Sequence, residues 1–140
     1  MGPKMSSKPI IRRNDGTTQQ DLQQAAANVS TIGLSPRRRQ RVVDYIESNL
    51  SHPISLADIA AVAALSPYHF ARAFKASMGM TPVRYVWQRR IELARRMLRE
   101  TGAPLVDVAL ACGYASQSHF TTAFKMATGV TPAAYRRSVI

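Results

Sequence analysis

Nine side chains of this sequence have the types and spacing that could read the edge of a base pair or grip a phosphate: Tyr68, Ala71, Arg72 and Lys75, then Gln117, Ser118, Thr121, Thr122 and Lys125. Each set falls on the helical stripe opposite two phenylalanines four apart, Phe70 and Phe74 in the first case, Phe120 and Phe124 in the second. If the phenylalanines face a core, the polar residues face out. Arg72 can pair bidentately with guanine, Gln117 with adenine, and Tyr68 and the threonines can touch thymine methyls or phosphates. Lys75 and Lys125 suit phosphate better than bases. For a single amphipathic helix a merely solvated face would be the better reading. Repetition reverses that preference.

The repeat spans about 30 residues. Leu56-x-Asp58-x-Ala60, then Ser66-x-x-His69-Phe70, Phe74-Lys75, Gly79-x-Thr81-Pro82 and Tyr85, returns as Leu105-x-Asp107-x-Ala109, then Ser116-x-x-His119-Phe120, Phe124-Lys125, Gly129-x-Thr131-Pro132 and Tyr135. The offset is 49 residues before the middle turn and 50 after it, so Ala115 is one residue inserted where a surface turn can absorb it.

Helix starts are marked by a hydroxyl residue followed by proline: Ser35-Pro36, Ser66-Pro67, Thr81-Pro82 and Thr131-Pro132. The hydroxyl caps unpaired backbone N–H groups, and proline gives up a donor that would have had no partner. Ser55-x-x-Asp58 has capping-box spacing. The pattern predicts an all-α fold of seven helices, over about 36–49, 56–63, 67–78, 82–100, 105–112, 117–128 and 132–137. Val43, Ile46 and Leu50 are expected inward on the first, and Leu56, Ile59 and Ala60 against Phe70 and Phe74, with Leu105, Val108 and Ala109 repeating this against Phe120 and Phe124. Trp87, Met97 and Met126 are expected in the core or at its edge. His69 and His119 are expected to pack beside the phenylalanines or bond the backbone rather than bind metal. The turn needs a left-handed residue, supplied by Gly113 in the second copy and by Ala64, at a cost, in the first.

A short helix, a tight turn and a second helix anchored by two phenylalanines make a helix-turn-helix. Two such subdomains, 35–81 and 101–140, would be joined by a long central helix over 82–100, about 28 Å long at 1.5 Å per residue. That length compares with the roughly 34 Å between successive major-groove segments on one face of B-DNA. Residues 1–34 read as a flexible arm or linker, with one short helix expected at 21–28.

Net charge of +11 points to a polyanion, nucleic acid or an acidic membrane surface. The membrane is disfavoured: no run approaches 18 apolar residues and the N-terminus lacks the apolar stretch of a signal peptide, so a cytoplasmic location is expected. Cys112, the lone cysteine, rules out an internal disulfide; its match to Ala63 suggests packing rather than reactivity. Scattered carboxylates and the absence of a nucleophile with an orienting partner argue against an enzyme, and no cofactor or metal is expected. The arginines of the central helix, Arg89, Arg90, Arg95, Arg96 and Arg99, read as a soluble face stabilised by Glu92 and Glu100, part of it turned to phosphate.

Residues 35–137 closely resemble the DNA-binding domain of the AraC/XylS family of bacterial transcription regulators. The resemblance rests on Gly113-Tyr114-Ala115-Ser116-Gln117-Ser118-His119-Phe120, then Phe124-Lys125 and Gly129-x-Thr131-Pro132-x-x-Tyr135-Arg136. It implies two lobes on adjacent major-groove segments of double-stranded promoter DNA, base contacts at the nine positions above, and activation through contact with RNA polymerase. Ala71 and Thr122 depart from the pattern, being short where many relatives carry long polar or arginine side chains. The chain is expected to act as a monomer like the family's short members, or as a dimer if it is a segment of a longer regulator. Two alternatives are a protein that mainly docks on polymerase or another regulator with weak DNA selectivity, and a domain accompanying a DNA-repair methyltransferase.

Overall fold

The computed structural model describes residues 33–139, in which seven helices and no strand are formed. They are α1 (Pro36–Ser48), α2 (Leu56–Val62), α3 (Pro67–Met78), α4 (Pro82–Glu100), α5 (Leu105–Ala111), α6 (Gln117–Thr128) and α7 (Pro132–Ser138). Every end lies within one residue of its expected position. The arm and the helix expected at 21–28 fall outside the described residues. Leu34 belongs with the folded part: its N–H donates to Ser77 Oγ at 2.6 Å and its side chain packs on the first core.

The predicted caps are in place at five helix starts, while α5 begins after Pro104 with no side-chain cap. Ser35, Ser55, Ser66, Thr81 and Thr131 accept from the backbone N–H three residues on, at 3.0–3.2 Å. Ser116 does the same for α6 without a following proline. Ala115, the inserted residue, is exposed between Tyr114 and this cap.

Two cores form, one per lobe. In each, the second helix of the motif is anchored by its phenylalanines, and the aromatic contacts recur. Phe70–Phe74 and Phe74–Tyr85 have ring centroids 5.5 and 5.4 Å apart, and Phe120–Phe124 and Phe124–Tyr135 are 5.7 and 5.5 Å apart. All four phenylalanines are fully buried. Each therefore stabilises its lobe by about 1.5–3 kcal/mol from burial, with tilted and edge contacts adding about 0.5–1.5 kcal/mol per pair. The central helix α4 serves both cores: Val86 belongs to the first, and Ile91, Ala94 and Leu98 to the second. Trp87 and Met97 sit half-buried at the edge of the second core, as expected.

Three core expectations need correction. Val42, not Val43, is buried with Ile46 and Leu50; the inward stripe of α1 runs at i, i+4, i+8, leaving Val43 half-covered at its edge. Leu56 and Leu105 are only half-buried, because each is the first residue of its helix and overhangs the core. Met126 is 78% exposed. It lies half a turn from Phe124 and corresponds in the repeat to Ala76, which is also exposed.

Candidate nucleic-acid interface

The turn between α2 and α3 fixes how the outward stripe of α3 is presented. Ala64 adopts φ +58°, and Leu65 N–H then bonds back to Ala60 O at 3.0 Å, turning the chain into the Ser66 cap. The second motif repeats this with Gly113 at φ +86° and Tyr114 N–H on Ala109 O at 3.0 Å. Both left-handed positions are thus where the sequence placed them.

On α3, Tyr68, Arg72 and Lys75 are exposed and Ala71 is half-covered. Arg72 and Tyr68 are not independent. Arg72 Nη1 donates to Tyr68 Oη at 3.2 Å, and its guanidinium carbon lies 5.7 Å from the ring centroid, within cation–π range. With five N–H donors, the guanidinium keeps others free while the ring holds its direction. This pre-orientation lowers the entropy lost when the arginine engages a partner. On α6, Gln117, Ser118, Thr122 and Lys125 are exposed and Thr121, the repeat equivalent of Ala71, is half-covered. Met126 extends this stripe at i+4 from Thr122 and i+8 from Ser118. The sequence signal for it is helical period, which sets residue 126, like Ala76 in the first copy, on the side away from the phenylalanines whatever its type. Lys75 and Lys125 stand in the last turns of their helices, where a cation is also favoured by the helix dipole.

His69 and His119 are exposed rather than packed beside the phenylalanines, because each occupies the third position of its helix, next to the cap. Neither ring bonds the backbone: the main-chain N–H of each histidine donates to the cap serine, as the third residue of a capped helix does, and His69 Nδ1 meets the Ser66 side-chain Oγ at 2.8 Å. Among the described residues no group of acidic, histidine or cysteine side chains has metal-binding proximity. Cys112 is fully buried, and burial pushes its thiol up to about 11, so it stays protonated near neutral pH.

The arginines of α4 separate into different roles. Arg95 pairs with Glu92 at 2.8 Å and Arg99 lies 3.9 Å from Glu100, so part of the expected surface pairing is present. Arg99 also donates to Tyr135 Oη at 3.2 Å, which raises its pKa. Arg89 instead grips Glu47 of α1 with two bonds, 2.6 and 3.3 Å, and Arg90 donates to the carbonyls of Leu50 and His52 at 3.2 and 2.8 Å. Arg96 is exposed and makes no hydrogen bond or ion pair among the described residues. Arg136 of α7 bonds the Leu98, Thr101 and Ala103 carbonyls at 3.3, 3.2 and 2.7 Å, closing the end of α4.

A family described as a helix-turn-helix domain matches residues 59–138. A crystal structure of a transcriptional regulator of the AraC-type DNA-binding domain-containing proteins, from Chromobacterium violaceum, superimposes with TM-score 0.67 at 31% identity, covering 72% of this chain and 90% of that one. This chain belongs to the AraC-type helix-turn-helix family. The DNA-binding domain of AdpA, a global transcriptional factor solved in complex with a target DNA, aligns with this AraC-type chain at TM-score 0.69 and 28% identity, over 74% of this chain and 93% of that one. LumQ of Photobacterium leiognathi, named a probable transcriptional regulator, is 43% identical over 75 residues, or 54% of this AraC-type chain. The chain spans 30% of the length of LumQ, and about a quarter to a third of the length of the first curated relatives it matches.

Proposed function

We propose that this AraC-type domain binds double-stranded promoter DNA in a sequence-specific way, placing α3 and α6 in successive major-groove segments, and acts as a transcription regulator. The observation that carries the reading is duplication of an exposed polar stripe with a free lysine at its end, each mounted on a phenylalanine-anchored helix. Arg72, held over Tyr68, is the strongest base reader of the nine positions, a bidentate guanine contact being worth about 1–3 kcal/mol of discrimination. Gln117 is assigned to adenine, Ser118, Thr121 and Thr122 to thymine methyls or phosphate, Ala71 to a methyl contact, and Lys75 and Lys125 to phosphate. Both lobes lie in one chain, so a monomer suffices for this mode.

Activation through RNA polymerase is the regulatory half of the proposal. Large apolar side chains are exposed away from the stripes, among them Val83 on α4 and Val106 and Leu110 on α5, and such side chains are what a protein contact would use. The setting is intracellular, where DNA and polymerase are. Selection from a pool of random duplexes tests the DNA half: enrichment of one bipartite motif is expected. Binding without any enriched motif, together with tight retention on polymerase, would replace it with the docking reading.

A further inference from the structure

The turn of the second motif and the first lobe meet at one point. A Cβ on Gly113 would stand 2.3 Å from Leu50 O, 2.8 Å from Arg90 Nε and 2.9 Å from Arg90 Cζ. Leu50 belongs to the buried core of the first lobe, whereas Gly113 follows Cys112, which belongs to the core of the second. Arg90 lies between them. It stands on α4 between Val86, buried in the first core, and Ile91, buried in the second. Its guanidinium bonds Leu50 O and His52 O, in the segment that follows α1, and its face is what Gly113 approaches. Arg89, one residue earlier, ties the same turn of α4 to Glu47 of α1.

We propose that Arg90 and Gly113 form a lock between the two lobes that sets the separation at which α3 and α6 read DNA, making them positioning residues for half-site spacing. The proposal rests on the two-groove reading above. A single helix, α4, already connects the lobes by packing in both cores, with Leu93 touching each. The contact among Leu50, Arg90 and Gly113 adds a direct junction between the lobes away from the helix axis, where it resists tilting of one against the other. Only a residue without a Cβ lets the second turn come this close, so the glycine has a role there beyond its left-handed φ. The equivalent Ala64 carries its Cβ at φ +58° and is exposed, so the first turn makes no such approach.

Two measurements test the lock. In the first, binding-site selection is run on the full chain and on Arg90→Gln and Arg90→Lys. The expected result is that the unaltered chain selects two motifs at one separation, and that Arg90→Gln keeps both motifs but accepts separations one base pair longer or shorter. Arg90→Lys, which retains one donor, should fall between. A role in stability alone would lower the yield without moving the spacing, and that outcome overturns the proposal.

The second measurement needs no DNA. Spin labels introduced through Ala76→Cys and Met126→Cys, at equivalent exposed points of α3 and α6, report the inter-lobe distance distribution, while the buried Cys112 thiol stays unlabelled. A narrow distribution that broadens with Arg90→Gln or Gly113→Ala, in protein with undiminished helix content, is expected. An unchanged width in both variants rejects the lock. If selection yields no motif even for the unaltered chain, the functional reading fails while the distance measurement still decides the lock.

Discussion

Replacing Gly113 with alanine separates two reasons for the glycine. At φ +86° an L-residue is strained, and alanine in the left-handed region costs roughly 1–2 kcal/mol. That much also applies to Ala64, which bears it at φ +58°. At Gly113 the new methyl would in addition be 2.3 Å from Leu50 O, a backbone atom that cannot swing away as the Arg90 side chain can. Forcing a methyl group into a close-packed contact of this kind costs roughly 1–3 kcal/mol more. Gly113→Ala should therefore lose about 2–5 kcal/mol, or roughly 8–20 °C in Tm at about 4 °C per kcal/mol for a domain of this size. Ala64→Gly should be neutral or gain at most about 1.5 kcal/mol, since the relieved strain of roughly 1–2 kcal/mol is offset by roughly 0.4–1 kcal/mol of extra unfolded-chain entropy. Urea denaturation followed by circular dichroism, with thermal melts alongside, measures both. A loss of only about 1 kcal/mol for Gly113→Ala would mean that the left-handed φ is the whole cost, and the close approach to Leu50 would be refuted.

The two lobes should read sequence unequally: Arg72→Ala should relax one or two base pairs of one half-site by about 1–3 kcal/mol, while Thr122→Ala changes little. Binding-site selection with each variant decides, and a larger loss of sequence information in Thr122→Ala would reverse the assignment. Lys75→Ala and Lys125→Ala should each lower the log–log salt slope of binding by about 0.9 and weaken all sequences alike; an unchanged slope in both removes them from the phosphate interface. Burial raises the Cys112 thiol from 9.0 to about 11, so folding favours its protonated form. Stability from this group is fully present below pH 9 and is lost as pH climbs through 9 to 11, because the unfolded thiol ionises first. Unfolding titrations across that window should show a shallower decline in Cys112→Ala than in the unaltered chain, and equal slopes would refute the burial argument.

The central helix shows where local reading ends. Its limits, its Thr81 cap and its proline start could be read from neighbouring residues, because capping and helix periodicity act within one or two turns. The same holds for the phenylalanine anchors, the outward stripes and the left-handed turn positions, each a matter of i+3 or i+4 spacing or of one backbone angle. Arg89 and Arg90 could not be assigned that way. Their partners lie 38 to 42 residues away, on α1 for Arg89 and in the segment after α1 for Arg90, so two adjacent arginines take up an ion pair in one case and backbone carbonyls in the other.

Val42 and Val43 make the point for the core. Either valine completes an apolar stripe with Ile46 and Leu50, and only the docking of α1 on α2 and α3 selects Val42. Met126 misled because methionine usually marks a core, although its place half a turn from Phe124 puts it in solvent. The repeat, the all-α class and the outward stripes were therefore determined by the sequence itself, through interactions short in chain distance. Which arginine closes which loop, and how closely the second turn approaches the first lobe, were decided by tertiary structure, because those contacts exist only once both lobes are packed on one helix.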